Sequence, residues 1–264
     1  MTSLAGLVLL LMLFEVRAYN LYNLRVPKVL SFDTSVHPIR EALVAVLEDE
    51  CKESLPLELG RLHEATAIYS SFVEDKSGNK ISYLQHLWNQ NRDRMETTPA
   101  YQHFELVYKT FLEDVIKPIG MECGNEEECC YQRVPTFRAY LPGTNTPMGK
   151  LHCDRDYHHQ PTELNFWMPL SEHVFGTNSL FVESEPGKGD FESLDLRYGQ
   201  CYRGYLNQCR HGARTNDSNV SRLSIDFRLV KRREHDPTFR KGVRRGAKAR
   251  FQDKFDVGGF YEVV

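Results

Sequence analysis

The first half of the chain is dominated by apolar residues at helical spacing. Between residues 37 and 55, apolar side chains recur at every third or fourth position, which predicts an amphipathic helix. The same spacing recurs over residues 81–94 and 101–116, and the run PKVLSF before the first helix predicts a short strand. We therefore expect a helical support region over about residues 36–117.

From about residue 134 the pattern changes to short β-like runs separated by Pro, Gly and Asn. These runs are TFRAYL, KLHCD, ELNFWMPL, NSLFVES, QCYRGYL and RLSIDFRLV. Closely spaced strands with no helical pattern between them favour an antiparallel barrel or sandwich. The chain thus predicts an α+β fold, in which a β core over about residues 134–230 is buttressed by the N-terminal helices.

The N-terminal 18 residues differ in character from the rest. Leu4 to Phe14 is an uninterrupted apolar run, and Val16-Arg17-Ala18 approximates a small-x-small cleavage site. The run suits the central region of a signal peptide and is shorter than the roughly 20 residues of a bilayer span. We expect a signal peptide at 1–18, a single domain at 19–264, and the secretory pathway or ER lumen. A cytoplasmic location is the alternative, because no Lys or Arg precedes the apolar run.

Composition and charge narrow the choice of partners. The chain has 264 residues, 41% of them apolar, and a net charge of -3, so it can bury a core and has no overall attraction to nucleic acid. The C-terminal extension at 228–254 is the exception, with eleven Lys or Arg against three acids. It is either a solvated tail or an anion-binding surface. Sequons at Asn216 and Asn219 matter only if the chain enters the ER.

The cysteines leave the redox compartment open. Seven cysteines mean that at least one thiol is unpaired, and the CxxC spacing of structural zinc sites is absent. Cys123, Cys129 and Cys130 could hold a disulfide in an oxidised chain. Reduced thiols in a polar loop are the alternative interpretation.

The candidate chemistry lies in the β region. His152 and Asp154 stand two residues apart on a predicted strand, so both side chains point to the same face. His211, near the end of a later run, is the best placed third ligand. Two histidines and one carboxylate suit a non-haem Fe(II) centre, because three protein ligands on one face leave other coordination positions open.

A second polar pair follows eleven residues after His211. Arg222 and Ser224 share one face of the run RLSIDFR. An inward guanidinium is costly unless it is paired, and a carboxylate is the partner whose geometry it matches. The sequence therefore predicts that an anionic ligand binds beside the metal site.

The order His-x-Asp, a long gap, His and then Arg-x-Ser resembles the Fe(II)/2-oxoglutarate-dependent dioxygenases, which are built on the double-stranded β-helix, a jelly-roll or cupin-like barrel. The segments GKLHCDRDYHHQPTELNFWMPL, GTNSLFVESEPGKGDF and RLSIDFRLV look like the small-molecule branch that includes streptomycin-biosynthesis-type dioxygenases. The similarity covers about residues 134–230.

This resemblance implies a set of roles. Fe(II) would be bound by His152, Asp154 and His211, and Arg222 with Ser224 would hold the distal carboxylate of 2-oxoglutarate. With dioxygen, the enzyme would hydroxylate a small metabolite and release succinate and carbon dioxide. Beside these, we expect Asn165 to contact 2-oxoglutarate or else bond a neighbouring strand. We expect Arg138 to face the substrate or else pair with an acidic neighbour, and His158 to face the substrate or else lie at the surface.

Two other functions compete with an oxygenase. A catalytically silent barrel could bind an anionic partner through the basic C-terminal segment, but it would need neither the three ligands nor the Arg-x-Ser pair. A cupin-like isomerase would keep the ligands but has no use for an inward arginine. The sequence does not identify the substrate or the oligomeric state.

Overall fold

Three full α-helices lie within the described residues and support the fold. The computed structural model describes residues 24–75, 78–144, 149–239 and 256–264. The helices are α1 (Ile39–Cys51), α2 (Tyr83–Met95) and α3 (Pro99–Phe111), and α3 continues into a π-helical segment, Leu112–Gly120. All three agree with the predicted helical regions. Among these described residues, no helix is long and apolar enough to cross a membrane.

Local sequence explains where two of the helices begin. The Ser82 side chain accepts a hydrogen bond from the backbone N–H of Gln85 at the start of α2. At α3, the Thr98 side chain accepts from the N–H of Tyr101, and Pro99 occupies the first turn, where its missing N–H costs nothing. Both helices are therefore positioned by side-chain caps before they pack on the sheet.

The described residues contain fourteen strands, numbered here in chain order. They are β1 (Lys28–Ser31), β2 (Phe72–Glu74), β3 (Lys80–Ser82), β4 (Cys129–Gln132), β5 (Thr136–Tyr140), β6 (Leu164–Pro169), β7 (His173–Val174), β8 (Phe181–Val182), β9 (Glu192–Ser193), β10 (Leu196–Arg197), β11 (Gln200–Gly204), β12 (His211–Gly212), β13 (Arg222–Lys231) and β14 (Tyr261–Val263).

The main sheet is antiparallel and has seven strands. Its order is β1-β11-β6-β13-β4-β14, with β5 also paired to β13. Smaller sheets are formed by β12-β8-β9, by β10-β7 and by β2-β3. The long central strand β13 pairs with β4, β5 and β6, so it runs through the middle of the fold.

Strand β13 divides the sheet into an apolar face and a polar face. Phe227 packs against Tyr108 and Phe111 of α3, with ring centroids 5.4 Å and 6.4 Å apart, and stacks on Phe166 of β6 at 5.4 Å. Leu223, Ile225 and Leu229 belong to the same core. The intervening residues of β13 point to the opposite face because side chains alternate along a strand.

The structure corrects three expectations from the sequence. The run KLHCD is not a strand, since His152 makes only an isolated bridge to His211 and Asp154 opens a short 3-10 helix, Asp154–Tyr157. The cysteine-rich loop contains strand β4, which the pattern did not reveal. The basic extension begins after Lys231 and not at residue 228, because Arg228 to Lys231 form the end of β13.

Two further expectations concern residues that the structure does not describe. The predicted signal peptide at 1–18 lies outside the described residues, and so do residues 240–255 of the basic segment. The structure therefore leaves the leader, the cleavage site and most of the basic segment as predictions.

Candidate active site

The two histidines and the aspartate converge between the main sheet and the smaller β12-β8-β9 sheet. The nearest ligand atoms of His152, Asp154 and His211 all lie within 4.8 Å of one another. Asp154 Oδ1 is 3.7 Å from His152 Nε2 and 3.4 Å from His211 Nε2. These spacings fit a single divalent metal ion bound between three ligands.

The backbone brings the two histidines together directly. His152 and His211 exchange two hydrogen bonds, with N···O distances of 3.0 Å and 2.9 Å, and their ring centroids are 4.3 Å apart. Gly212 permits this approach, because a Cβ there would lie 3.0–3.1 Å from backbone atoms of Leu151 and Lys150. The site therefore depends on a close backbone contact that a larger residue would push apart.

Each imidazole is oriented by its other nitrogen. His152 Nδ1 lies 2.6 Å from the Lys150 carbonyl oxygen, and His211 Nδ1 lies 3.2 Å from that of Cys209. A carbonyl only accepts, so each Nδ1 carries the proton. The lone pair on each Nε2 then faces the metal position, as is usual for histidine ligands.

The carboxylate of Asp154 is oriented in the same way. Its Oδ2 accepts from Asn165 Nδ2 at 2.5 Å and from Arg228 Nε at 2.6 Å. This leaves Oδ1 on the side of the two imidazoles. Burial alone would raise the pKa of Asp154, but the Arg228 guanidinium holds that pKa well below its ordinary value, so the carboxylate is ionised and ready to bind a cation.

The imidazole of His152 is kept neutral. Burial, followed by the neighbouring His211, lowers the pKa of His152 below its ordinary value of 6.5. Only a neutral imidazole can bind a metal. The environment therefore favours the ligand-competent state of the ring at neutral pH.

Arg222 and Ser224 lie on the polar face of β13 and are almost fully buried. Arg222 Nη1 donates to the backbone carbonyl of Asn178 at 2.7 Å, while its Nε and the hydroxyl of Ser224 have no hydrogen-bond partner among the described residues. No described carboxylate forms an ion pair with Arg222. A buried guanidinium and a buried hydroxyl on one face, both short of partners, fit an incoming anion.

The surroundings make the charge of Arg222 costly. Burial lowers its pKa to about 10 from 12.5. The guanidinium carbon lies 5.2 Å from the ring centroid of Tyr140 and 5.8 Å from that of Trp167, which supplies modest cation–π attraction. Arg222, Trp167, His152 and His211 all line the same pocket, so the arginine shares one cavity with both histidines. Asp154 lies directly beside these two histidines.

The other predicted residues are Asn165, Arg138 and His158, and two of them line the pocket. Asn165 lines the pocket, but its amide nitrogen is occupied by Asp154 while its Oδ1 is buried without a partner, so its observed contact is to the aspartate. Arg138 lines the same pocket and lies 3.9 Å from Asp226. His158 occupies a left-handed turn (φ 71°) and is not among the pocket-lining residues. The adjacent Tyr157 instead contacts His152, with ring centroids 4.9 Å apart.

Sequence reasoning missed Arg228, which it had counted in the basic tail. This side chain is buried, and beyond Asp154 it contacts Gln132 Oε1 at 2.9 Å and Asp226 Oδ2 at 3.3 Å. Burial opposes its charge, but Asp154 and Asp226 hold its pKa above the ordinary value. The period-two pattern that placed Arg222 and Ser224 on one face, continued for two more steps, would have found it.

The neighbouring imidazole of His159 takes part in a separate cluster. His159 Nδ1 lies 2.7 Å from Glu163 Oε2, and Glu163 Oε1 accepts from the hydroxyl of Tyr261 at 2.5 Å. This arrangement joins β14 to the segment before β6. In the described part of the chain, the one group that meets the spacing of a metal site is His152, Asp154 and His211.

Comparison with known proteins places this site in context. No family model matches the chain. The streptomycin biosynthesis protein StrG of Streptomyces griseus is 30% identical over 174 residues, which cover 63% of this chain and 79% of that protein.

Among solved structures, the non-heme alpha ketoglutarate dependent carbocyclase SnoK from nogalamycin biosynthesis aligns with a TM-score of 0.50 at 16% identity, covering 87% of this chain and 88% of that one. The epimerase SnoN from the same biosynthesis, also described as non-heme alpha ketoglutarate dependent, aligns at a TM-score of 0.43 and 14% identity over 79% of each chain. The likeness to SnoK shows a shared α+β fold. On the sequence match over most of its length, the chain belongs to the family of the streptomycin biosynthesis protein StrG.

Proposed function

We propose that this protein is an Fe(II)/2-oxoglutarate-dependent oxygenase that hydroxylates a small metabolite, and that its main and smaller sheets form a double-stranded β-helix. The observation that carries the proposal is one pocket lined by both histidines of a two-histidine, one-carboxylate cluster and by a buried arginine without a carboxylate partner. The relationship to a streptomycin biosynthesis protein and the fold shared with SnoK support a small-molecule branch.

The residues around the pocket divide the work. His152, Asp154 and His211 would hold Fe(II), which with 2-oxoglutarate and dioxygen supplies the oxidising chemistry. Arg222 would pair with the distal carboxylate of 2-oxoglutarate, and the Ser224 hydroxyl would donate to it. Because Oδ2 of Asp154 is held by Arg228 and Asn165, the aspartate would offer a single oxygen, which preserves coordination positions for the co-substrate.

A groove beside the pocket provides room for the substrate. It has a volume of about 690 Å³ and shares Arg138 with the pocket. Apolar walls come from Trp88 and Phe137, while Arg92 and Arg133 line the groove together with Glu96, with which both pair. This size suits a small molecule, and Arg138 stands where a polar substrate group would approach the metal.

The proposal predicts that the purified chain, supplied with Fe(II), converts 2-oxoglutarate to succinate, and that candidate metabolites stimulate the conversion. His152→Ala, Asp154→Ala and His211→Ala should each abolish succinate formation, since a site missing one ligand loses both affinity and geometry. His173→Ala is the matched control, because that histidine pairs with a carboxylate outside the pocket at 2.6 Å. Its activity should equal that of the wild type.

A contrary result would have a clear meaning. If the wild type binds Fe(II) but neither binds nor consumes 2-oxoglutarate, the oxygenase proposal is wrong, and a barrel that only binds ligands becomes the better interpretation. If one ligand variant keeps full turnover, that residue does not hold the metal.

A further inference from the structure

Two cysteine thiols outside the proposed metal site lie in contact with each other. Cys123 follows the π-helical segment, and Cys129 is the first residue of β4. Their sulfur atoms are 3.3 Å apart, which is about 1.3 Å beyond the usual disulfide bond length of about 2.05 Å. We propose that Cys123 and Cys129 are a redox modification site that closes to an intramolecular disulfide.

Strand geometry selects Cys129 over its neighbour. Cys129 and Cys130 are adjacent on β4, so their side chains point to opposite faces of the sheet. Cys129 shares the main core with Cys123, whereas Cys130 packs with Val230 and Tyr261 in a separate cluster. A disulfide between Cys123 and Cys130 would therefore require β4 to rotate about its own axis. A disulfide between Cys123 and Cys129 would not.

The backbone holds both partners in place. Cys129 exchanges two 2.9 Å hydrogen bonds with Val264, and the N–H of Cys123 donates to the Lys117 carbonyl at 3.1 Å. The residue between the π-helical segment and Cys123 that turns the chain is Glu122, at a φ of 52°. The sulfur atoms thus face each other because both flanking segments are fixed, and only a small movement is needed to join them.

The two thiols differ in the way that exchange requires. Cys123 is 7% exposed while Cys129 is fully buried, so an external disulfide reaches Cys123 first. The hydrogen bond from Cys129, aided by Lys231 and opposed by burial, lowers the pKa of Cys123. A thiolate is the attacking species in disulfide exchange, so Cys123 is suited to attack and Cys129 to resolve.

With oxidised glutathione as the oxidant, the chemistry balances. The Cys123 thiolate attacks one glutathione sulfur, which forms a mixed disulfide and releases one glutathione thiolate that takes up a proton. Cys129, on losing its proton, then attacks the Cys123 sulfur and releases the second glutathione. Two protein thiols are oxidised and one glutathione disulfide is reduced to two thiols.

The test uses the full chain incubated with oxidised glutathione, blocked with N-ethylmaleimide and analysed by mass spectrometry. No Lys or Arg lies between Lys117 and Arg133, so trypsin leaves all three cysteines in one peptide. That peptide should lose the mass of two hydrogens and carry one blocked thiol. The peptide of Cys130→Ser should still lose two hydrogens and should carry no blocked thiol. The peptides of Cys123→Ser and Cys129→Ser should not lose the two hydrogens.

Other outcomes overturn the proposal. A wild-type peptide with three blocked thiols shows that no disulfide forms, whatever the variants do. Loss of the disulfide in Cys130→Ser, or its retention in Cys123→Ser, would instead indicate pairing through Cys130. Thermal unfolding of the oxidised and reduced wild type gives a second readout, in which the oxidised form should melt at the higher temperature because the link restricts the unfolded chain.

Discussion

Replacing Arg222 by methionine should separate ligand binding from stability. The guanidinium is buried and its pKa falls from 12.5 to about 10. This fall in the pKa means that burying the charge costs on the order of 3 kcal/mol. A methionine, whose side chain ends about where arginine has its Nε, avoids this cost, but it loses the charged hydrogen bond to the Asn178 carbonyl, which contributes about 1.5–3 kcal/mol.

These two contributions nearly cancel, so the free energy of unfolding of the ligand-free variant should lie within about 1.5 kcal/mol of the wild type. The affinity for 2-oxoglutarate should fall much further. Loss of a bidentate charged contact costs about 2–5 kcal/mol, or roughly 30-fold to several-thousand-fold. Arg222→Lys should recover only part of this loss because an ammonium lacks the planar fork, and Ser224→Ala should weaken binding in the same direction but less.

Arg203→Met provides the matched control. Arg203 is as buried as Arg222, but its guanidinium donates to the Gly120 carbonyl at 2.8 Å, to Glu122 at 3.1 Å and to the Val26 carbonyl at 3.2 Å. Removing it should destabilise the protein by about 3 kcal/mol and leave 2-oxoglutarate binding within about twofold of the wild type.

The assays are denaturant unfolding of the ligand-free protein and anaerobic calorimetric titration of the Fe(II)-loaded protein with 2-oxoglutarate. The reasoning is refuted if Arg222→Met binds 2-oxoglutarate like the wild type, or if it is destabilised as much as Arg203→Met.

Three further predictions concern the metal site and the termini. Arg228→Met should lower the affinity for Fe(II) about 10- to 100-fold in a metal titration, because the carboxylate of Asp154 loses its charged partner. An unchanged affinity would show that Asn165 alone orients this carboxylate. Burial, followed by the neighbouring His211, lowers the pKa of His152, so protonation of this ligand should compete with the metal only in acidic solution. Fe(II) affinity in a metal titration should therefore fall as the pH decreases into the acidic range, and an affinity that is independent of pH there would contradict this. If residues 1–18 direct the chain into the ER, glycopeptide analysis should find glycan on Asn219, which is exposed, and none on Asn216, whose side chain is buried. An intact N-terminus on a cytosolic protein would contradict the secretory assignment.

Periodicity alone located the three described helices, five of the seven strands of the main sheet and the polar face of β13. Alternation along one strand depends only on neighbouring residues, so Arg222 and Ser224 could be placed on a common face before any tertiary contact was known. The helical spacing of the N-terminal half predicted three helices in the same way. The pattern around His152 was less informative, because a single bridge and a 3-10 turn bring Asp154 to the same side as a strand would.

Contacts between distant segments decided the rest. The backbone exchange between His152 and His211 joins residues 59 positions apart, and the ion pair between Arg228 and Asp154 spans 74. Alternation along β13 places Arg228 on the same face as Arg222, but nothing local indicates that it pairs with Asp154 or that the two histidines meet. The sequence by itself determined which residues could bind a metal and an anion, while packing of the two sheets determined that they share one pocket and which oxygen of the aspartate is left to bind.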